Sequence, residues 1–102
     1  MIHTQQVDGI KLDIQTVDLT ISDEVQDAVV KMITKLQRFV SQINFVDVHF
    51  KKENGQTVDN MVLSVRLGIP GSDSFASVSG DNWIGMLKAV EEKLKVQLKK
   101  RK

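Results

Sequence analysis

The spacing of apolar residues switches between two periods along this chain, and this constrains its fold more than any other feature. Ile10, Leu12 and Ile14 alternate with polar residues, as in a half-buried strand. Two longer segments repeat apolar residues at helical spacing, namely Val25, Val29, Met32, Leu36 and Val40, and then Trp83, Leu87, Val90, Leu94 and Leu98. Each of these segments predicts a helix with one apolar face.

Residues that favour helix N-termini precede both segments. Ser22 is the predicted N-cap of the first helix, with Asp23 and Glu24 in the first turn, where the helix dipole favours acids. Asn82 or Asp81 is the predicted cap of the last helix.

Between the two helices the period returns to two. Three strands are predicted there, around Val46–Phe50, Met61–Leu67 and Phe75–Ser79. Glu53-Asn54-Gly55-Gln56 predicts a hairpin turn, because Asn-Gly tolerates positive φ, and Pro70-Gly71-Ser72-Asp73 predicts a second turn. Residues 1–9 are polar and end in the turn signal Asp8-Gly9, so we expect a flexible lead-in.

The order β-α-β-β-β-α predicts an α+β two-layer sandwich, a four-stranded sheet with both helices packed on one face. Residues 10–102 should form a single domain. The other sheet face should be in contact with water, and its predicted residues are Lys11, Asp13, Gln15, Asp47, His49, Asn60 and Arg66.

Charge is distributed unevenly along the chain. The whole chain has 14 basic and 13 acidic residues, a formal charge of +1. Residues 93–102 hold six of the basic groups and no acid, which leaves eight basic against thirteen acidic groups, or −5, in residues 1–92. Such asymmetry indicates a polyanionic partner for one end of the molecule.

The basic residues of the two predicted helices favour a nucleic acid as that partner. Lys88, Lys95 and Lys99 flank one side of the apolar face of the last helix, and Lys93 and Lys100 flank the other. A solvated face is the ordinary explanation for any single lysine, but the combined set favours RNA bound through its backbone. The predicted RNA-binding residues are Lys31, Lys35, Arg38, Lys88, Lys93, Lys95, Lys99, Lys100 and Arg101. Stacking of bases on Phe75 and His49 is the weaker alternative, since aromatic residues are few.

Enzyme chemistry is not indicated. Cysteine is absent, and neither His3 nor His49 has a second histidine near it in the sequence, so we expect no catalytic residue, no metal site and no cofactor. No apolar run is long enough to span a bilayer, and the N-terminus lacks a signal pattern, so we expect a cytoplasmic protein that uses neither a membrane nor a small-molecule substrate.

Three passages resemble one known family. Residues 14–23 are similar to its first strand and helix entry, Lys35-Leu36-Gln37-Arg38-Phe39 to its Lys-Leu-x-x-aromatic signature, and residues 75–80 and 93–100 to its last strand and closing helix. The chain thereby resembles the ribosome hibernation promoting factors, also described as sigma-54 modulation proteins and ribosome-associated inhibitors. The similarity covers about residues 10–102 and is that of a short form without a dimerisation domain.

The resemblance implies a non-enzymatic translation inhibitor. Such proteins bind 16S rRNA of the 30S ribosomal subunit, in the channel between head and body, in idle ribosomes during stress and stationary phase. It also implies a monomer off the ribosome, with the basic residues of both helices on the rRNA. Two alternatives stay open: a protein-interaction module that uses the polar sheet face or an edge strand, and a diverged paralogue with weak or no ribosome binding.

Overall fold

The computed structural model describes residues 2–17, 19–40, 42–52 and 61–100. Its elements, in chain order, are the strands and helices β1 (Ile2–Val7), β2 (Ile10–Val17), α1 (Asp23–Leu36), a 3₁₀ turn (Gln37–Phe39), β3 (Phe45–Lys52), β4 (Met61–Gly68), β5 (Ser74–Gly80) and α2 (Trp83–Lys99). The predicted α+β class, with both helices packed on a sheet, is confirmed.

The sheet formed by the described residues has five strands, in the order β1-β2-β3-β4-β5, so the prediction of four strands was wrong. The additional strand is β1, in the segment we expected to be a flexible lead-in. Asp8 and Gly9, with φ of 50° and 83°, form a two-residue turn, and β1 pairs antiparallel with β2 through Val7 and Ile10. Sequence periodicity missed β1 because the polar run Thr4–Gln6 shows no apolar alternation, whereas an edge strand is held by backbone hydrogen bonds to its single neighbour.

The chain connections explain which strand pairs are parallel. The pair β2 and β3 is parallel because α1 carries the chain back across the sheet between them. The pairs β3–β4 and β4–β5 are antiparallel. The predicted Asn54-Gly55 turn lies outside the described residues, while the predicted turn at Pro70 contains Gly71 at a φ of 99°.

One apolar core lies between the sheet and the two helices. Alternate residues of the central strands enter it, and the largest fully buried side chains include Phe50, Leu12 and Leu63. The helices contribute the apolar faces read from their spacing, centred on Val29 and Leu94. Because every central strand buries alternate residues on the helix side, its remaining residues must lie on the opposite face.

The helix termini follow local side-chain chemistry. The Oγ of Ser22 accepts a hydrogen bond from the Val25 N–H at 3.2 Å, and the Oδ1 of Asn82 accepts one from the Gly85 N–H at 3.2 Å, so both predicted N-caps are confirmed. The first helix is shorter than its apolar spacing predicted, because α1 ends at Leu36 and Val40 has extended dihedral angles. Arg38 therefore lies on the 3₁₀ turn rather than on the α-helix.

We call the sheet surface opposite the helices the open face. As predicted it is largely polar: Lys11, His49 and Arg66 are exposed there, while Asp13, Gln15 and Asp47 are half-buried, and Asn60 lies outside the described residues. The aromatic rings of Phe45 and Phe75 also lie on the open face. The Phe45 ring packs directly on Gly68 of the neighbouring strand, and a Cβ added at Gly68 would overlap that ring.

Candidate nucleic-acid interface

The two helices pack side by side, and α1 presents its basic residues along the exposed part of this pair. Lys31 and Lys35 lie four residues apart, one turn from each other, and Arg38 follows on the 3₁₀ turn. All three side chains are exposed. Among the described residues Lys31 and Arg38 form no ion pair, so both remain available to a partner.

A half-buried carboxylate links the two helices. The Nζ of Lys35 lies 4.0 Å from the Oε1 of Glu91 on α2, whose side chain is 23% exposed. An ion pair of this length with an exposed lysine contributes little to stability. It places the Lys35 ammonium beside α2, next to a residue one turn before Lys95.

Phe39 is the centre of that junction. The Nζ of Lys95 lies 5.5 Å from the centre of the Phe39 ring and the Nζ of Lys99 lies 5.6 Å from it, both within cation–π distance. The ring is half-buried, so the two ammonium groups are held over an apolar platform rather than ranging freely in water. We call Lys35, Phe39, Lys95 and Lys99 the basic cluster. Its cations come from both helices, and Lys35 is far from Lys95 and Lys99 in the sequence.

Phe39 is the residue of this cluster that sequence reasoning missed. Its ring packs against the core without being fully buried, and the same is true of Trp83. Phe50 is fully buried, and its ring contacts Trp83 edge to face with centroids 4.9 Å apart. Phe39 packs against the core and is half-buried, and the ammonium groups of Lys95 and Lys99 lie over its ring. The sequence signal that could have identified Phe39 is its position as the aromatic residue of the Lys-Leu-x-x-aromatic passage.

The second acidic residue near the cluster modifies its charge. Glu92 lies one turn before Lys95, and its Oε1 is 3.8 Å from the Lys95 Nζ. This carboxylate is 67% exposed and competes only weakly with an anionic partner for the lysine. With Glu91 beside Lys35 and Glu92 beside Lys95, the three lysines leave a net formal charge of +1, and Lys99 is the cation that forms no ion pair among the described residues.

Lys93 lies on the other side of α2 and does not join the basic cluster. Its Nζ donates a hydrogen bond to the Ser77 carbonyl on β5 at 3.3 Å. Gln97, one turn later, donates to the Phe75 carbonyl at 2.7 Å and accepts from the Phe75 N–H at 3.3 Å. These contacts occupy backbone groups of the edge strand that would otherwise be available to another strand.

The structure thus divides the predicted RNA-binding residues into sets. Lys35, Lys95 and Lys99 are brought together; Lys31, Arg38 and Lys88 are exposed on the flanks of the same helix pair; Lys93 faces β5; Lys100 is the exposed C-cap residue of α2; and Arg101 lies outside the described residues. RNA binding by these residues stays a prediction.

Other kinds of site are not supported by the part of the chain that the structure describes. No three His, Asp or Glu side chains of the described residues come close enough to hold a metal ion. Neither α1 nor α2 is long and apolar enough to cross a membrane. His49 is exposed on the open face.

Comparison with known proteins agrees with this fold. The model of the family described as sigma 54 modulation protein / S30EA ribosomal protein matches residues 12–102. No curated protein sequence matches the chain. Among solved structures, the Thermus thermophilus Protein Y N-terminal domain has a TM-score of 0.72 and 17% identity, covering 87% of this chain and 94% of its own. A ribosomal subunit interface protein from Coxiella burnetii has a TM-score of 0.73 and 16% identity, covering 88% of this chain and 94% of its own. At these identities the structural similarity establishes the fold.

Proposed function

We propose that this chain, which belongs to the sigma 54 modulation protein / S30EA ribosomal protein family, is a non-enzymatic translation inhibitor that binds 16S rRNA of the small ribosomal subunit. The observation that carries the proposal is the basic cluster, where Lys95 and Lys99 of α2 lie over the Phe39 ring and Lys35 of α1 pairs with Glu91 across the two helices. The Coxiella burnetii protein of the same fold is a ribosomal subunit interface protein, which supports the same partner.

The cluster suits a folded RNA bound through its backbone. Lysine ammonium groups act as point charges toward phosphates, and each neutralised phosphate releases counterions. Folded RNA exposes phosphates and 2′-hydroxyl groups rather than readable base edges in its narrow major groove, so shape and charge dominate its recognition. Lys35 of α1 and Lys95 and Lys99 of α2 offer cations from two packed helices to such a partner.

Inhibition would then follow from occupancy alone. A domain that fills the small-subunit channel between head and body excludes mRNA and tRNA from it without any bond being made or broken. This mode needs no catalytic group and no cofactor. Its place would be the cytoplasm, on idle ribosomes in stress and stationary phase, with the protein a monomer when unbound.

Sedimentation with purified 30S subunits at low and moderate salt tests the proposal. The parent protein should travel with the subunit at low salt and dissociate as salt rises. The double variant Lys95→Gln/Lys99→Gln should bind more weakly, with the slope of log K against log salt reduced by up to about 0.7–0.9 for each lost phosphate contact. The matched control Lys11→Gln/Lys52→Gln removes two exposed lysines outside the helices and should leave the slope unchanged.

Two results would count against the proposal. Absence of the parent protein from the 30S fraction at low salt would show that the small ribosomal subunit is not its partner. Equal affinity for any long RNA duplex would instead show a general duplex-RNA binder that does not select the ribosome.

A further inference from the structure

The open face carries a depression of about 370 Å³ that neither helix covers. Its lining combines the Phe75 ring, the cationic side chains of Lys51 and Arg66, and the exposed imidazole of His49. Phe75 and Val17, which are 50% and 43% exposed, both line it, so large apolar side chains meet water there beside positive charge. This combination is absent from the basic cluster, where the aromatic ring lies beneath the lysines.

The Phe75 ring is placed where an unpaired base could stack on it. It lies on β5 directly opposite Arg66 of β4, and the Arg66 guanidinium carbon is 5.8 Å from the centre of the Phe75 ring. Its backbone N–H donates to the Gln97 Oε1 and its carbonyl accepts from the Gln97 Nε2, so the ring is presented from an anchored strand. An exposed aromatic ring beside an arginine is the pairing that holds unpaired bases, because every base has a π face.

The charge of the depression favours an anion. Among the described lining residues, Lys51 and Arg66 are cationic and Asp47 is the single acid, so the lining is net positive with His49 neutral. An acidic group alone would not use the exposed ring, and an apolar peptide would leave both cations without partners. A nucleotide has a planar base for the ring and a phosphate for the cations.

Phe75 also connects the depression to α2. A second groove, between β5 and α2, is lined by Phe75 on one side and by Lys93 and Val96 on the other. Lys93, the predicted RNA-binding residue that does not join the basic cluster, lies along this groove. Glu92 also lines this groove and offsets the charge of Lys93, so the net positive charge beside Phe75 lies on the open face, at Arg66 and Lys51.

We propose that the open face, from Phe75 across Arg66 to Lys51, is a second RNA site that binds unpaired nucleotides. One base stacks on the Phe75 ring, and neighbouring phosphates contact Arg66 and Lys51. The proposal goes beyond ribosome binding by the helices, since it concerns a different surface, different residues and single-stranded rather than folded RNA.

Fluorescence anisotropy of the full chain with a labelled, unstructured ten-nucleotide RNA tests this site. Phe75→Leu keeps an apolar side chain but removes the π face, and should weaken binding by roughly 5- to 100-fold, the range for one lost base stack. Phe75→Trp should retain binding, and its indole fluorescence should be quenched when a base stacks on it. Because Phe75 is half exposed, both variants should unfold at temperatures close to that of the parent.

A pair of adjacent lysines supplies a matched control. Lys51 lines the depression, whereas Lys52 is the next residue of β3 and projects to the other side of the sheet. Lys51→Gln and Arg66→Gln should each lower the salt slope for the oligonucleotide by up to about 0.7, the value for single strands. Lys52→Gln removes the same charge and should not change the slope.

Failure of this site is distinguishable from failure of ribosome binding. Phe75→Leu should still sediment with 30S subunits, and Lys95→Gln/Lys99→Gln should retain a Phe75-dependent affinity for the oligonucleotide. Unchanged oligonucleotide affinity in Phe75→Leu, or no binding by the parent protein at low salt, would overturn the proposal whatever the 30S result. If the parent protein does not bind the oligonucleotide, a protein would be the remaining partner for the open face.

Discussion

The contact of Lys95 and Lys99 with the Phe39 ring leads to a prediction that a double-mutant cycle can measure. Phe39→Leu retains most of the apolar volume at the end of α1 but removes the π face. Lys95→Met retains the apolar stem and removes the charge. If the cation–π contact exists, the two changes together should destabilise the protein by less than the sum of their separate effects.

The size of the coupling follows from exposure. Contacts of this kind contribute about 0.5–1 kcal/mol at exposed sites and more when desolvated. The Lys95 side chain is 33% exposed, so its coupling with Phe39 should be near the upper value, about 1 kcal/mol. Lys99 is exposed and should show about 0.5 kcal/mol. The ion pair of Lys95 with Glu92 is common to both backgrounds and cancels in the cycle.

Urea denaturation of the four proteins in each cycle provides the free energies of unfolding. A control cycle of Phe39→Leu with Lys88→Met uses a lysine of α2 that does not lie over the ring, and its coupling should be zero within error. Coupling of Lys95 no larger than that of Lys88 would refute the contact and, with it, the idea that the ring holds the lysines in place.

The same variant separates positioning from charge in RNA binding. Phe39→Leu leaves every lysine present, so the salt slope for 30S subunits should be unchanged. Its affinity should fall by roughly 2- to 10-fold per lysine, because each side chain must then be ordered on binding at a cost of about 0.5–1.5 kcal/mol. A lowered slope would show that the phosphate contacts themselves were lost.

Two further predictions concern the sheet. Gly68→Ala should destabilise the protein by about 1–3 kcal/mol in urea denaturation, because the added Cβ overlaps the Phe45 ring. In a protein that also carries Phe45→Ala, the same substitution should lower the free energy of unfolding by less. An equal loss with and without the Phe45 ring would refute the overlap. Gln97→Leu removes both side-chain hydrogen bonds to the Phe75 backbone. The Phe75 amide should then exchange with deuterium faster by roughly 5- to 30-fold, which corresponds to about 1–2 kcal/mol of local opening. Unchanged exchange would show that Gln97 does not hold this edge of the sheet.

Local chemistry made the helices and central strands predictable. The N-caps at Ser22 and Asn82 depend on a side chain and a backbone N–H three residues away, and the apolar face centred on Val29 depends on helical geometry alone. The alternation in β3 works in the same way, since a strand with one buried face must repeat every two residues. These features needed no knowledge of the rest of the chain.

Features that depend on a distant partner could not be read in this way. The strand β1 contains the polar residues Thr4, Gln5 and Gln6, with Val7 buried at its end, and it is defined by its antiparallel pairing with β2. The end of α1 at Leu36 cut short an apolar spacing that continued to Val40, because the chain turns there toward β3.

The same distinction applies to the candidate sites. From its sequence, this protein is a β-and-α chain with basic helices and a charged C-terminal end. Only the tertiary structure placed Lys95 and Lys99 over Phe39, turned Lys93 toward β5, and set Arg66 beside the exposed ring of Phe75. The physical reason is that charge and periodicity are properties of a segment, whereas a binding surface depends on which segments pack together and through which sides.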